Sequence, residues 1–188
     1  MTRLDDAVLQ RAVDRGRSLR VTEFLTLVER FHDADRPGVA TETVREYAAA
    51  VRDEMAGGED VPFEPESLVT VVTDRADDAE TWTGADCYWV GDGRVSAFPA
   101  SWHDDLAGET DVTAYVERLR DPGSGDDART PMGGAGEGVP DELLLDALGI
   151  LGGVEREAAK ARIEELLQSD VLAAGADQHP NRHIRLAE

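Results

Sequence analysis

The chain has 188 residues and carries 40 Asp+Glu against 19 Lys+Arg, a formal net charge of -21. That length suits one ordinary domain or two small ones, no run approaches the roughly 20 apolar residues that span a bilayer, and a lone cysteine, Cys87, excludes an internal disulfide framework or a multi-cysteine metal site. So acidic a surface repels phosphate, and the opening Met1-Thr2-Arg3-Leu4-Asp5-Asp6 lacks the apolar run of a signal peptide, which sets a cytoplasmic expectation.

The first fifty-odd residues read as helical. Leu4, Ala7, Val8 and Ala12 recur at helical spacing, and Val21, Phe24, Leu25, Val28 and Phe31 form a second amphipathic stripe. Arg36-Pro37-Gly38 breaks that helix, and Thr41 is placed to cap a third whose face carries Val44, Tyr47, Ala48, Val51 and Met55. Gly57-Gly58 stops it. The two helices around the Pro-Gly turn fit either a DNA-reading helix-turn-helix or an ordinary packed hairpin of helices.

The middle of the chain changes character. Leu68-Val69-Thr70-Val71-Val72 is a β-branched run that predicts a buried strand. Cys87 to Val90 and Arg94 to Phe98 flank Gly91-Asp92-Gly93, which predicts a hairpin with Asp92-Gly93 as its loop, Val90 facing Val95 and Tyr88 facing Ala97. Ser101-x-x-Asp104 resembles a capping box opening a short helix, and Asp111 to Arg120 is another helix with Val112, Tyr115, Val116 and Leu119 on its stripe. Trp82, Tyr88, Trp89, Phe98 and Trp102 crowd this region, as a stacking platform, a small-molecule pocket, or the core of a small hairpin-and-helix unit. The alternating strand pattern and the scarcity of nearby cations favour the core.

Residues 122–138 are dominated by Gly, Pro and small polar side chains and read as a flexible linker. Beyond it, Val139, Leu143, Leu144, Ala147 and Leu148 line a helix beginning near Pro140, and a second helix from about Glu155 buries Ala158, Ile163, Leu166 and Leu167. Val171 to Ala174 and His183 to Leu186 read as the two strands of a hairpin, with a turn-rich tip from Gly175 to Asn181.

In detail the pattern Gly138-Val139-Pro140-Asp141-Glu142, Gly153-Val154, Ile163-Glu164-Glu165-Leu166-Leu167 and His183-Ile184-Arg185-Leu186 resembles the small winged-helix domain at the C-terminus of archaeal minichromosome maintenance helicases. Archaeal winged-helix transcription regulators carry similar modules. The likeness covers the final 50 or so residues; the nucleotide-binding loop of the helicase is missing, and the first core helix would have to be Asp111 to Arg120, across the Gly-rich segment, or be missing too. Joined to the elements read upstream, it gives an α+β chain: a helical and β-hairpin unit over 1–121, a linker over 122–138, and, as the resemblance implies, a winged helix-turn-helix over 139–188. In such a fold the second helix enters the major groove and the hairpin touches the backbone. Carried onto this chain, Arg156, Lys160 and Arg162 lie on the recognition helix, and His179, Arg182, His183 and Arg185 on the wing. Glu155, Glu157, Glu164 and Glu165 share that helix and push phosphate away. Arg15, Arg17 and Arg20 make a secondary basic patch, to grip phosphate or to pair with a neighbouring acidic face.

Of the 19 basic residues only Lys160 is a lysine. Heavy Asp/Glu, scarce Lys and plentiful Ala, Val and Gly resemble haloarchaeal proteins, in which hydrated carboxylates keep a chain soluble in molar salt. No constellation argues for catalysis, a metal or a cofactor: His179 and His183 are four apart on a hairpin rather than a helix, and Cys87 sits in an apolar strand. The expected function is therefore non-enzymatic. The first expectation is a winged-helix regulator, or an accessory factor of replication or transcription, that binds double-stranded DNA. The alternative is an adaptor whose winged helix docks on a protein partner of that machinery. No membrane partner is expected, and a homodimer is one arrangement the sequence allows.

Overall fold

The computed structural model describes residues 4–32, 36–55, 61–121, 138–175 and 182–187. The fold is α+β, with helices outweighing two small sheets. Contacts divide the chain into two compact units, the first comprising residues up to Ala79 together with Ala85–Ala100, the second Glu80–Gly84 together with Ser101–Glu188.

In the first unit, α1 (Asp6–Arg15) starts where the Asp5 carboxylate accepts the Ala7 N–H at 2.8 Å, and it buries Val8, Leu9 and Ala12. Next, α2 (Val21–Phe31) is entered through Glu23, whose carboxylate accepts the Arg20 N–H at 3.1 Å, and its stripe buries Phe24, Leu25 and Val28. A two-residue strand, β1 (Val39–Ala40), follows, then α3 (Thr41–Glu54), which buries Val44, Tyr47, Ala48 and Val51. Thr41 is the first helical residue rather than the cap, and its N–H is bonded to the Gly93 carbonyl at 3.3 Å.

The segment expected as a buried strand is instead α4 (Pro65–Arg75). A β-branched run is only a weak bias toward strand. Pro65 presets the first helical turn, and the helix brings Leu68 and Val72, four apart, onto one buried face toward α3. The chain then forms β2 (Ala76–Asp77), β3 (Cys87–Trp89) and β4 (Arg94–Ser96), in the sheet order β1-β4-β3-β2. The hairpin register differs by one residue from expectation: Tyr88 is opposite Ser96 and Trp89 opposite Val95. The loop is three residues long, Gly91 to Gly93, because Val90 donates to the Arg94 carbonyl at 3.0 Å and Arg94 to the Gly91 carbonyl at 2.9 Å. That slip exchanges the faces. Cys87, Trp89 and Val95 join the core of α1 to α4, while Tyr88 lies opposite the buried Ser96.

In the second unit, α5 (Ala100–Leu106) buries Trp102, His103 and Leu106. Ser101 lies inside this helix rather than capping it, and its hydroxyl donates to the Glu80 carbonyl. The next helix, α6 (Val112–Arg120), is capped by the Asp111 carboxylate, which accepts the Thr113 N–H at 3.0 Å, and it buries Val112, Tyr115, Val116 and Leu119. Val139–Pro140 is a strand, β5, rather than a helix start, followed by α7 (Asp141–Ile150), α8 (Arg156–Gln168), β6 (Leu172–Ala174) and β7 (His183–Leu186), in the sheet order β5-β7-β6. Leu145 takes the buried place expected of Leu143, and Ala159 that of Ala158, which is exposed; Leu167 is half-buried.

Whereas the sequence reading set the division at residue 121, contacts set it near 100. The physical reason is α6, which packs on α7, α8 and the strands beside it and so covers an apolar face that 139–188 would leave open. The Gly-rich stretch thus connects two elements of one unit; all of it but Gly138 lies outside the described residues.

The two units share one internal plan: a helix, a short strand, two helices, and a hairpin whose second strand pairs with the first strand. From β1 and α3 to β5 and α7 the correspondence runs at an offset of 100 residues, and from α2 and α4 to α6 and α8 at 91. Gly38-Val39 and Gly138-Val139 lead into strands paired with Val95 and Ile184, and Val44, Ala48 and Val51 are buried as Leu144, Leu148 and Leu151 are. Both leading glycines have positive φ, 65° and 77°, and a Cβ at either would lie 2.7 Å from a carbonyl oxygen of the paired strand, Val95 or Ile184.

Candidate functional site

Of the cations singled out in the sequence, Arg156, Lys160 and Arg162 lie on α8, and Arg182, His183 and Arg185 beside or on β7, in the second unit. Arg156 opens α8 and reaches back to α7, where its guanidinium bonds Glu142 and lies 3.5 Å from Asp146. Lys160 pairs with Glu157 at 3.4 Å, and Arg162 with Glu165 at 2.5 Å, both one turn along the same helix. Arg182, beside β7, bridges two helices: it donates to Glu164 of α8 at 2.6 Å and to Asp141 of α7 at 3.0 Å. Burial works against its charge, but hydrogen bonds to Glu164 and Asp141 and the charges of both outweigh it and raise its pKa above the ordinary value. His183 and Arg185 lie on β7 opposite Pro140 and Ala173, and both are half-buried. His179 lies outside the described residues.

The bridging arginines explain a use for guanidinium over ammonium: a planar fork reaches two carboxylates at once, where an ammonium is a point charge. The first unit does the same. Arg45 of α3 bonds Glu42 and lies 3.4 Å from Glu66 of α4, and Arg52 lies between Asp53 and Glu64. In the N-terminal patch, Arg15 pairs with Glu23 at 3.4 Å, Arg20 offers its backbone N–H to the same carboxylate, and Arg17 lies in the short 3-10 turn Gly16–Ser18.

A groove of about 620 Å³ opens beside this helix pair, lined by Val112 and Asp111 of the α6 start, Leu148, Val154, and Ala158, Ala159 and Arg162 of α8. Trp82 stacks on the fully buried Trp102 with centroids 5.4 Å apart, and Arg118 lies 5.7 Å over the Trp102 ring, all within the second unit; Tyr88 and Phe98 are buried in the first. The Cys87 thiol donates to the Val72 carbonyl at 3.4 Å, and burial first, then Asp86, pushes its pKa up to about 11, so it stays protonated. Among the described residues, no group of three His, Cys, Asp or Glu side chains could hold a metal ion, and no helix is long and apolar enough to cross a membrane.

Three features escaped the sequence reading. Glu29 is buried on α2, its carboxylate accepting the Ala97 N–H at 3.0 Å, although it sits one residue after the apolar Val28 and four after Leu25 on the stripe already noted. His103 is buried on α5, where desolvation lowers its pKa to about 4 and keeps it neutral. The repeat was also readable, since Gly-Val-x-x-Glu stands at both 38–42 and 138–142. No protein-family model, curated protein or solved structure matches this chain.

Proposed function

We propose that the chain is a non-enzymatic pair of winged-helix modules that works as a protein-binding adaptor in a high-salt cytoplasm. The repeated order of helix, strand, two helices and hairpin, with the hairpin's second strand central in the order β5-β7-β6, supports the winged-helix reading of both units.

One observation carries the choice of adaptor over groove reader: Arg156, Lys160, Arg162 and Arg182 already pair with carboxylates of their own unit. Each exposed pair is worth only about 0.2–1 kcal/mol, so breaking it is not the obstacle. The obstacle is the carboxylate left behind, which would face a phosphate. Within α8 three cations (Arg156, Lys160, Arg162) meet three acids (Glu157, Glu164, Glu165), so the helix offers no net positive field. The corresponding α4 carries Glu66, Asp74 and Arg75, and Arg75 pairs with Asp86 at 2.7 Å. A mixed, internally balanced face suits a protein surface better than a phosphate rail.

A second reading, a DNA-binding regulator, draws on residues 182–187, where Arg182, His183 and Arg185 stand with no acid among them. Fluorescence anisotropy with labelled duplex DNA in molar KCl separates the two. The adaptor reading expects no saturable binding. Saturable binding that Arg185→Ala abolishes would instead establish the DNA-binding reading.

A further inference from the structure

We infer that the groove between the start of α6 and α8 is the docking site for an aromatic side chain presented by a cationic segment of a partner protein; the inference rests on the adaptor reading and names the partner's chemistry. The first argument is the repeat. In the first unit, Phe63 stands two residues before α4 and packs its ring on Phe24, the fourth residue of α2, with centroids 5.7 Å apart. In the second unit the residues of the same rank are Val154, two before α8, and Tyr115, the fourth of α6. The second unit therefore has a valine where the first has a phenylalanine, and that valine lines the groove together with Val112, Leu148 and Ala159, with Ala158 exposed on its wall. A volume of about 620 Å³ holds an aromatic ring with room for flanking backbone.

The second argument is charge. Asp111 stands at the rim, Glu109 folds back to accept the Thr110 and Asp111 N–H groups at 2.7 and 2.8 Å, and Glu155 precedes α8. The rim cation, Arg162, is balanced by Glu165. The surround is net acidic, so a segment carrying Lys or Arg beside its aromatic residue is the complement. Aromatic anchors seated in small pockets are also where interface energy concentrates.

The test uses the full chain with methyl-labelled Val and Leu, titrated in molar KCl with a short peptide of one central Trp flanked by lysines. Methyl shifts are expected at Val112, Leu148 and Val154, with affinity weakened roughly tenfold or more when the peptide Trp becomes Ala, and weakened increasingly as KCl is lowered when its lysines become Glu. Val154→Phe, which supplies from within the ring that the first unit already has, and Ala158→Arg, at an exposed position that threatens no core, should each abolish the shifts. Equal affinity for the Ala peptide, or shifts that survive in both variants, overturns the docking site and leaves the adaptor reading standing. The adaptor reading falls separately, by saturable duplex binding through Arg185.

Discussion

Glu29 is a carboxylic acid held in an environment far from the one its chemistry prefers. It is 5 % exposed, and burial raises its carboxyl from 4.5 to about 7, against the opposing pull of hydrogen bonds from Ser96, Ala97 and Gly38 and the charge of Arg94. Arg94 itself is engaged with the Pro37 and Gly38 carbonyls at 2.7 and 2.6 Å, so α2, the Gly38 turn and β4 meet at this carboxyl. The folded chain keeps this proton up to about pH 7, while the unfolded chain loses it near 4.5. Between those values the native state binds more protons, so this group's contribution to stability falls as pH rises, by on the order of 3 kcal/mol in all. Urea midpoints across that window should decline in the wild type and decline much less in Glu29→Gln. The leading glycines make a second prediction at this scale. A methyl group at Gly38 or Gly138 meets a backbone carbonyl that has no side chain to swing aside, at a positive φ. Gly138→Ala should cost about 1–3 kcal/mol in denaturant unfolding, beyond any gain from a stiffer unfolded chain.

At the scale of elements, α4 shows how packing overrides local bias. Leu68 and Val72 lie on the same face in either reading, since residues two apart share a face in a strand and residues four apart share one in a helix. Thr70 distinguishes them: a strand would bury it between the two, whereas in α4 it is exposed and its hydroxyl donates to the Glu66 carbonyl at 2.9 Å. Leu68→Ala should therefore cost about 2–4 kcal/mol, while Thr70→Ala should stay within about 0.5 kcal/mol, both read from chemical denaturation. The hairpin was legible as a hairpin because Gly-Asp-Gly separates two apolar runs, but its register was not. A two-residue and a three-residue loop fit the same letters; the choice falls to Val95, which must join the core beside Val39, its partner on β1. The candidate cations were legible as residues on α8 and β7. Glu157 and Glu165, one turn from Lys160 and Arg162, were legible beside them; the partners of Arg156 and Arg182 on α7 were not, because Asp141, Glu142 and Asp146 become neighbours only when α7 folds against α8 and the hairpin.

At the scale of the whole molecule, a charge of -21 sets the chain's response to salt. Like charges repel in the compact state, and a Debye length that shrinks to about 3 Å near molar salt removes most of that repulsion. The thermal midpoint should rise as KCl is raised from millimolar to molar; a flat profile would show that the ion pairs of α3, α7 and α8 already balance the repulsion. By itself the sequence determined the α+β mixture, the apolar stripes of α2, α3 and α6, the presence of both hairpins and the acidic, arginine-biased surface, because periodicity and composition are local properties that neighbours in the chain express. Tertiary structure alone decided that 65–75 is helical, that Glu29 is buried, and that Arg156 and Arg182 are balanced by acids of α7. Each of those depends on which surfaces remain to be covered once the helices have met, and that is a property of contacts between residues far apart in the chain.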